Sequence, residues 1–342
     1  MPTLVTGLAA LAASALTFTN PVAPDGDDPW VVKQDGMYYY VWATGPNHTG
    51  EYSRDNAVWV RGSPSLLESF NTPLTAKAWS PPPGKAFSEE LWAPELHWLG
   101  DAWYLYVAAD DGKNEMHRMQ VLRRRDKDPR GPFEHLGELK LPENKWAIDG
   151  TVMQWNGQLY YIWSGWPGDE NKVQNLYICR MKDPATPTGE RVMISTPTHE
   201  WEKRPNVPNL PLINEGPTAL QDGGKTFVTF AASGSWSDDY CVGLLELVGR
   251  DPMDATAWKK HDAPFLKSGN GLVGPGHPSV VKSPDDREWW LVFHTAKRPG
   301  AGWDRQVNLQ RFTFDPNTGQ PVIDAPTAYG TPVAAPSGER AK

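Results

Sequence analysis

Three acids and one histidine lie at matching places in a repeated sequence pattern. Side chains of these types can act as general acids and general bases. They are Asp28, Asp149, Glu215 and His277. One acid alone says little, because Asp also favours turns. Carboxylates that crowd together raise one another's pKa, so one keeps its proton while another is ionised. Cleavage of a glycosidic bond needs this division, because an acid must protonate the departing oxygen and a base must activate a water molecule.

The pattern that carries these residues occurs five times in the 342-residue chain, at intervals of roughly 60 residues. Each copy has an apolar strand, a tight turn, a second strand rich in Tyr, Trp and Val, and a third strand. This period predicts an all-β fold, a five-bladed β-propeller. Convincing amphipathic helices are lacking, which argues against a TIM barrel or a doubly wound sheet. A β-sandwich is the alternative, although it would not impose so regular a period.

The propeller predicts where the acids meet. The first strand of each blade lines the central channel, so residues at equivalent places at its start converge near the axis. We place five residues there: Asp28, Ala93, Asp149, Glu215 and His277. Three acids and a histidine are therefore expected in one funnel.

The ordered motifs resemble glycoside hydrolase family 43 over all five copies, from about Phe18 to the C-terminal region. The matching segments are Asn20-Pro21 with Asp28-Pro29-Trp30, Ala147-Ile148-Asp149-Gly150, Asn214-Glu215-Gly216-Pro217 and Gly274-Pro275-Gly276-His277. Members of this family are five-bladed propellers that cleave arabinosides and xylosides with inversion. The resemblance implies that Asp28 is the general base and Glu215 the general acid. It implies that Asp149 orients the acid and tunes its pKa.

The resemblance also implies residues that bind. Arg305, in WDRQVNLQRF, resembles an arginine that contacts the acid or the sugar. In many relatives the histidine equivalent to His277 lies on the axis beside a calcium ion or water. No cofactor is expected to be required. A structural calcium ion on the propeller axis, bound by His277 through water, is the alternative, although calcium prefers many oxygen ligands and one histidine supplies none. Relatives usually carry Asn directly after this histidine, whereas this chain has Pro278.

Three tryptophans are candidate platforms for a sugar ring. Trp92, Trp166 and Trp236 follow or flank the predicted inner strands. Their flat faces can stack on sugars, and packing in the core is the other interpretation for each of them.

The longer matches WAPELH, WAIDGTV, YIWSGW, SGSWSDDYC and GPGH resemble the exo-acting α-L-arabinofuranosidases of the family. The resemblance implies release of terminal α-L-arabinofuranosyl units from arabinan or arabinoxylan of the plant cell wall. A β-xylosidase or an endo-arabinanase of the same family is the alternative. A non-catalytic sugar-binding propeller is a further one, but it would not need three converging acids.

Composition and charge exclude several partners. The formal net charge is −8, and no Lys/Arg stripe, zinc-finger spacing or P-loop is present, so no nucleic acid is expected. No apolar run is long enough to span a bilayer. Cys179 and Cys241 lie in strand-like segments. They are expected to be buried free thiols, with a disulfide as the alternative.

Two features of the sequence predict secretion. Residues 1–15 are expected to be a signal peptide or an N-terminal appendage, because the stretch from Leu8 to Leu16 is apolar and Ala13-Ser14-Ala15 resembles a cleavage site. No basic residue precedes the apolar stretch. Asn47-His48-Thr49 is a glycosylation sequon. Residues 16–342 are expected to form a single catalytic propeller domain.

Overall fold

The computed structural model describes residues 16–45 and 55–340. The predicted signal peptide at 1–15 and the sequon at 47–49 lie outside these residues and stay predictions. Regular structure in the described part is almost entirely β. The helices are α1 Leu66–Ser69 and four short 3₁₀ segments: Asn114–Met116, Pro142–Asn144, Glu200–Glu202 and Ala255–Ala257. The predicted all-β fold class is confirmed.

The strands of the described part fall into five antiparallel units of four strands each, and a short parallel pairing of residues 173–174 with 212–213 joins the third and fourth units into one sheet. A short strand precedes the first unit, and another follows the fifth. The strand before unit 1 is β1 Thr17–Phe18, and the strand after unit 5 is β22 Val333–Ala334. Units 1 and 2 comprise β2 Trp30–Gln34, β3 Met37–Thr44, β4 Ala57–Ser63 and β5 Thr75–Trp79, then β6 Glu89–Leu99, β7 Ala102–Asp110, β8 Arg118–Arg124 and β9 Glu134–Glu138. Units 3, 4 and 5 comprise β10 Ala147–Trp155, β11 Gln158–Gly165, β12 Val173–Asp183 and β13 Thr186–Ser195, then β14 Leu212–Asp222, β15 Lys225–Ala232, β16 Cys241–Leu247 and β17 Trp258–Lys260, then β18 Val273–Lys282, β19 Trp289–Ala296, β20 Arg305–Phe314 and β21 Pro321–Val322.

Tight turns between the first two strands of a unit form where the sequence predicts them. Asp35-Gly36, Asn156-Gly157 and Gly223-Gly224 all have positive φ angles. Two successive positive φ values give a type I′ turn, which matches the twist of antiparallel strands and favours Asn, Asp and Gly. These turns set the register of each hairpin and lie at the end of the unit opposite to the start of its first strand.

The five units pack side by side around their first strands. β2 contacts β6, β6 contacts β10, β10 contacts β14, β14 contacts β18, and β18 contacts β2. A hydrophobic cluster fills each junction between neighbouring units, including the junction of unit 5 with unit 1, where Trp42 and Trp290 are buried. The pairing of β1 with β22 joins the two ends of the described chain. Most of the aromatic residues therefore serve as core.

Two smaller expectations concern the cysteines and the membrane. Cys179 and Cys241 are buried and unpaired, as expected. Among the described residues, no helix has the length and apolar character needed to cross a bilayer.

Candidate active site

A local backbone distortion near the start of each first strand changes the direction in which the side chains there point. The residue at this point has a left-handed conformation in every unit, with φ between 43° and 54°: Asp28, Ala93, Asp149, Gly216 and His277. In units 2 to 5 the pairing register shifts here, as in a β-bulge. Bulges and left-handed residues re-aim side chains and are common beside active sites.

This register corrects one sequence assignment. We placed Glu215 at the position equivalent to Asp28 and Asp149, but the residue with the left-handed conformation in unit 4 is Gly216. Glu215 lies one residue earlier, at the place that Asp27 holds in unit 1. Each unit thus offers two adjacent positions to the site, and the acids are drawn from both.

Asp28 is held by three cationic or polar side chains. Its Oδ1 lies 3.1 Å from His277 Nδ1, 3.4 Å from His294 Nδ1 and 3.5 Å from Arg305 Nη1. The Arg305 guanidinium also donates to the Ser235 carbonyl at 2.9 Å. Burial acts to raise the pKa of Asp28, but the charge and hydrogen bond of His277 and the charge of Arg305 hold that pKa well below its ordinary value. Asp28 is therefore an ionised carboxylate with a fixed orientation.

His277 carries the positive charge beside this carboxylate. Burial acts to lower its pKa, yet the charges of Asp28 and Asp149 and the hydrogen bond to Asp28 raise it to about 10. Its Nδ1 lies 3.9 Å from Asp149 Oδ2. His294 differs, because its Nδ1 accepts the Asp28 backbone N–H at 3.1 Å and burial holds its pKa well below the ordinary value. One histidine is an imidazolium and the other is neutral.

Asp149 and Glu215 are the two acids of the set whose pKa values are raised. Burial and the neighbouring carboxylate of Glu215 raise the pKa of Asp149 to about 8, and its Oδ2 accepts the Gly216 N–H at 3.1 Å. Burial also raises the pKa of Glu215, whose Oε1 accepts the Tyr240 hydroxyl at 2.6 Å. The Tyr240 ring can come this close because Gly276 has no side chain, and a Cβ there would lie 1.9 Å from the ring.

Sequence reasoning missed Tyr240 and His294, which both touch the predicted acids. Tyr240 lies directly before β16, and His294 lies near the end of β19. The two rings stack at 5.6 Å between centroids. A polar residue at the acid-bearing end of an otherwise apolar second or third strand is the signal that could have found them.

A further buried carboxyl group, Glu95, was also missed. It lies two residues after Ala93, is 3% exposed, and contacts His97 Nε2 at 2.8 Å. Burial raises the pKa of Glu95 well above its ordinary value and lowers that of His97 to about 3. This pair is therefore held without charge.

The three predicted sugar platforms have different surroundings. Trp166 is 3% exposed and stacks on Trp146 at 4.6 Å, a placement for packing. Trp92 is half-buried and stacks on His117 at 3.9 Å. Trp236 is half-buried in the loop between β15 and β16, which also carries Ser235 and Tyr240. Trp236 is thus nearest in sequence to the contacts of Arg305 and Glu215.

Two groups of described residues lie where a metal ion could bind: the surroundings of His277, and the cluster of Glu90, Asp110 and His117. At the place expected for the axial calcium, His277 Nδ1 lies 3.1 Å from Asp28 Oδ1, so this nitrogen is already engaged with a carboxylate. Glu90, Asp110 and His117 each offer a ligand atom within 4.8 Å of the others. Both nitrogens of His117 already lie 3.1 Å from backbone carbonyls, those of Asn114 and Glu90.

Known proteins that resemble this chain are consistent with a sugar-cleaving site. The family model described as "Glycosyl hydrolases family 43" matches residues 18–319. A Streptomyces chartreusis protein named extracellular exo-α-(1→5)-L-arabinofuranosidase is 32% identical, over 85% of this chain and 86% of its own length. A Streptomyces avermitilis protein of the same name is also 32% identical, and the match covers 93% of this chain and 66% of that relative.

A solved structure extends the comparison to the fold. The α-L-arabinofuranosidase of Lactobacillus brevis has a TM-score of 0.80 and 27% identity, over 92% of this chain and 98% of its own. With carboxyl groups buried together at the starts of the first strands, these matches define a glycoside hydrolase. The chain belongs to glycoside hydrolase family 43, as its motifs indicate.

The electrostatic coupling between Asp149 and Glu215 predicts a change in the pH dependence of activity. The ionised form of either group disfavours ionisation of the other, so in Asp149→Asn, which cannot ionise at this position, Glu215 should lose its proton at lower pH. A general acid is active while protonated, so the alkaline limb of kcat/KM should move to lower pH. The measurement is the pH profile of kcat/KM, with Asp101→Asn as the control, because Asp101 is exposed in the turn between β6 and β7. An alkaline limb that stays in place or moves upward would contradict the coupling.

Proposed function

We propose that this protein is an inverting α-L-arabinofuranosidase that releases terminal arabinofuranosyl units from arabinan or arabinoxylan. The observation that carries the proposal is the division of protons among buried acids, with Asp28 ionised and Glu215 and Asp149 shifted toward the protonated form. The names of the relatives support arabinofuranose as the sugar.

In the proposed reaction, Glu215 donates its proton to the glycosidic oxygen while the bond from that oxygen to the anomeric carbon breaks. Asp28 accepts a proton from a water molecule, whose oxygen forms the new bond to the anomeric carbon from the opposite face. The negative charge of Asp28 also stabilises the positive charge that develops on the sugar in the transition state. Asp149 orients Glu215 and supports its raised pKa.

Three neighbours position these acids. Tyr240 donates to Glu215 Oε1 and so leaves the other carboxyl oxygen, Oε2, to carry the proton toward the leaving group. His277 and Arg305 fix Asp28 by their charges. These two cations supply the positive charge beside Asp28, so the proposal includes no metal ion in the chemical step.

The proposal extends to the architecture and the place of action. We propose that the five units are blades of one closed propeller, which the ring of contacts among β2, β6, β10, β14 and β18 supports. We also propose that the enzyme is secreted and acts on plant cell-wall polysaccharide. The relatives named as extracellular and the predicted signal peptide support this.

The function and its stereochemistry can be tested in one experiment. With an α-linked arabino-oligosaccharide, proton NMR should show release of single arabinose units, and the first-formed product should be the β-anomer. The enzyme should hydrolyse nitrophenyl α-L-arabinofuranoside far faster than nitrophenyl β-D-xyloside. A preference for the xyloside would contradict the proposed sugar. Initial release of the α-anomer would mean that Asp28 attacks the sugar directly.

The roles of Glu215 and Asp28 can be separated by the leaving group. Proton donation contributes about 10²–10⁴-fold to rate, and a nitrophenolate departs almost without it. Glu215→Ala should therefore lose roughly that factor in kcat/KM on arabino-oligosaccharide, but far less on the nitrophenyl arabinofuranoside. Asp28→Ala should lose activity on both substrates, because both need an activated water.

The control for this comparison is Asp101→Ala, which changes an exposed acid far from the site. Thermal unfolding of each variant shows whether the fold is intact. Equal losses for Glu215→Ala on the two substrates would exclude it as the acid and make Asp149 the candidate.

A further inference from the structure

Several loops of the described residues border the end of the protein where the acids lie. The first strand of each unit starts at this end, the second returns to it, and the third starts from it. The loops that join second to third strands therefore lie around the site. In the described part, those of units 4 and 5 span residues 233–240 and 297–304. The first of these loops carries Trp236 and Tyr240, and the second carries Trp303.

Trp303 is unusually accessible for its type. It is 60% exposed, the highest value among the large hydrophobic side chains that are exposed in the described residues. Single exposed apolar side chains are common and need no function. Trp303 differs because its indole Nε1 donates to Ser235 Oγ of the neighbouring loop at 3.3 Å.

The loop that carries Trp303 is attached firmly to the neighbouring loop. The Gly300 N–H lies 2.9 Å and 3.1 Å from the two carboxylate oxygens of Asp238. Within its own loop, Asp304 pairs with Lys297 and Arg298 at 3.0 Å. An aromatic ring held in place before a ligand arrives loses little entropy when the ligand binds. Trp303 is therefore preorganised as a surface.

A short series of contacts leads from Trp303 to the proposed acid. Ser235 accepts from the indole of Trp303 through its hydroxyl and from Arg305 through its carbonyl. The Arg305 guanidinium lies 5.7 Å from the centre of the Tyr240 ring. Tyr240 in turn donates to Glu215. These contacts connect Trp303 with Glu215, and Arg305 also connects it with Asp28, whose Oδ1 lies 3.5 Å from Arg305 Nη1.

We infer that Trp303 is a specificity-determining platform for the sugar that departs, the pentose ring bonded to the terminal arabinofuranosyl unit. The leaving group must lie beside Glu215, and a ring there extends outward toward the loops of units 4 and 5. The exposed indole face offers apolar stacking to the C–H face of that ring. This inference rests on the proposed function and adds where the rest of the substrate binds.

The test compares leaving groups with and without a ring. Trp303→Ala should lower kcat/KM on arabinobiose by about five- to tenfold, chiefly through KM, which is the range for one aromatic contact. Methyl α-L-arabinofuranoside has no ring in its leaving group, so kcat/KM for it should be unchanged. Trp303→Phe should recover part of the loss on arabinobiose, because a smaller aromatic face remains.

The matched control is Val248→Ala, which removes another exposed apolar side chain, 56% exposed, just beyond the far end of β16. It should alter neither substrate. Equal effects of Trp303→Ala on arabinobiose and the methyl glycoside, or no effect on either, would overturn the inference.

Failure of the proposed function would look different. If the wild-type enzyme cleaves xylobiose and not arabinobiose, the sugar assignment is wrong. The same comparison is then made with xylobiose and methyl β-D-xyloside. A selective loss on xylobiose would still support Trp303 as the platform, and equal losses would overturn it.

Discussion

The site depends on the balance of charge around Asp28. A carboxylate in a largely buried place is costly unless opposite charge and hydrogen bonds compensate for the lost water. Here His277 and Arg305 provide the compensation, and Asp28 in return keeps His277 charged. Asp149 and Glu215 share the same enclosure but have fewer cationic partners, so their pKa values move upward. One buried environment therefore produces a base and an acid.

The backbone makes this balance possible. The left-handed residue at the start of each first strand re-aims the side chains beside it, and it costs free energy that the surrounding sheets must offset. Two glycines allow aromatic rings to approach closely. Without a side chain at Gly150 the Tyr161 hydroxyl fits, and without one at Gly276 the Tyr240 ring reaches Glu215. The strands, turns and cores thus serve to hold a few atoms at fixed distances.

Much of this was predictable from the sequence, since it rests on local patterns. The turn residues Asn156-Gly157 and the alternation of apolar strands specify hairpins, and their period specifies five units. The register of Glu215 was not predictable. A β-bulge changes which residues pair across the strands, and this change depends on backbone geometry that residue types do not indicate. The contacts of Tyr240 and His294 were missed for a similar reason. These contacts depend on which strands are neighbours in the fold, and the spacing of residues in the sequence does not show which strands these are.

The most direct test is the protonation state of His277, measured by NMR titration of protein with ¹⁵N-labelled histidine. Comparison with a His277→Asn variant identifies its signals among those of the eight histidines. The ring should keep both protons through neutral pH and titrate at about 10. A ring that loses a proton near the ordinary histidine pKa of about 6.5 would contradict the charge balance on which the roles of Asp28 and Glu215 rest.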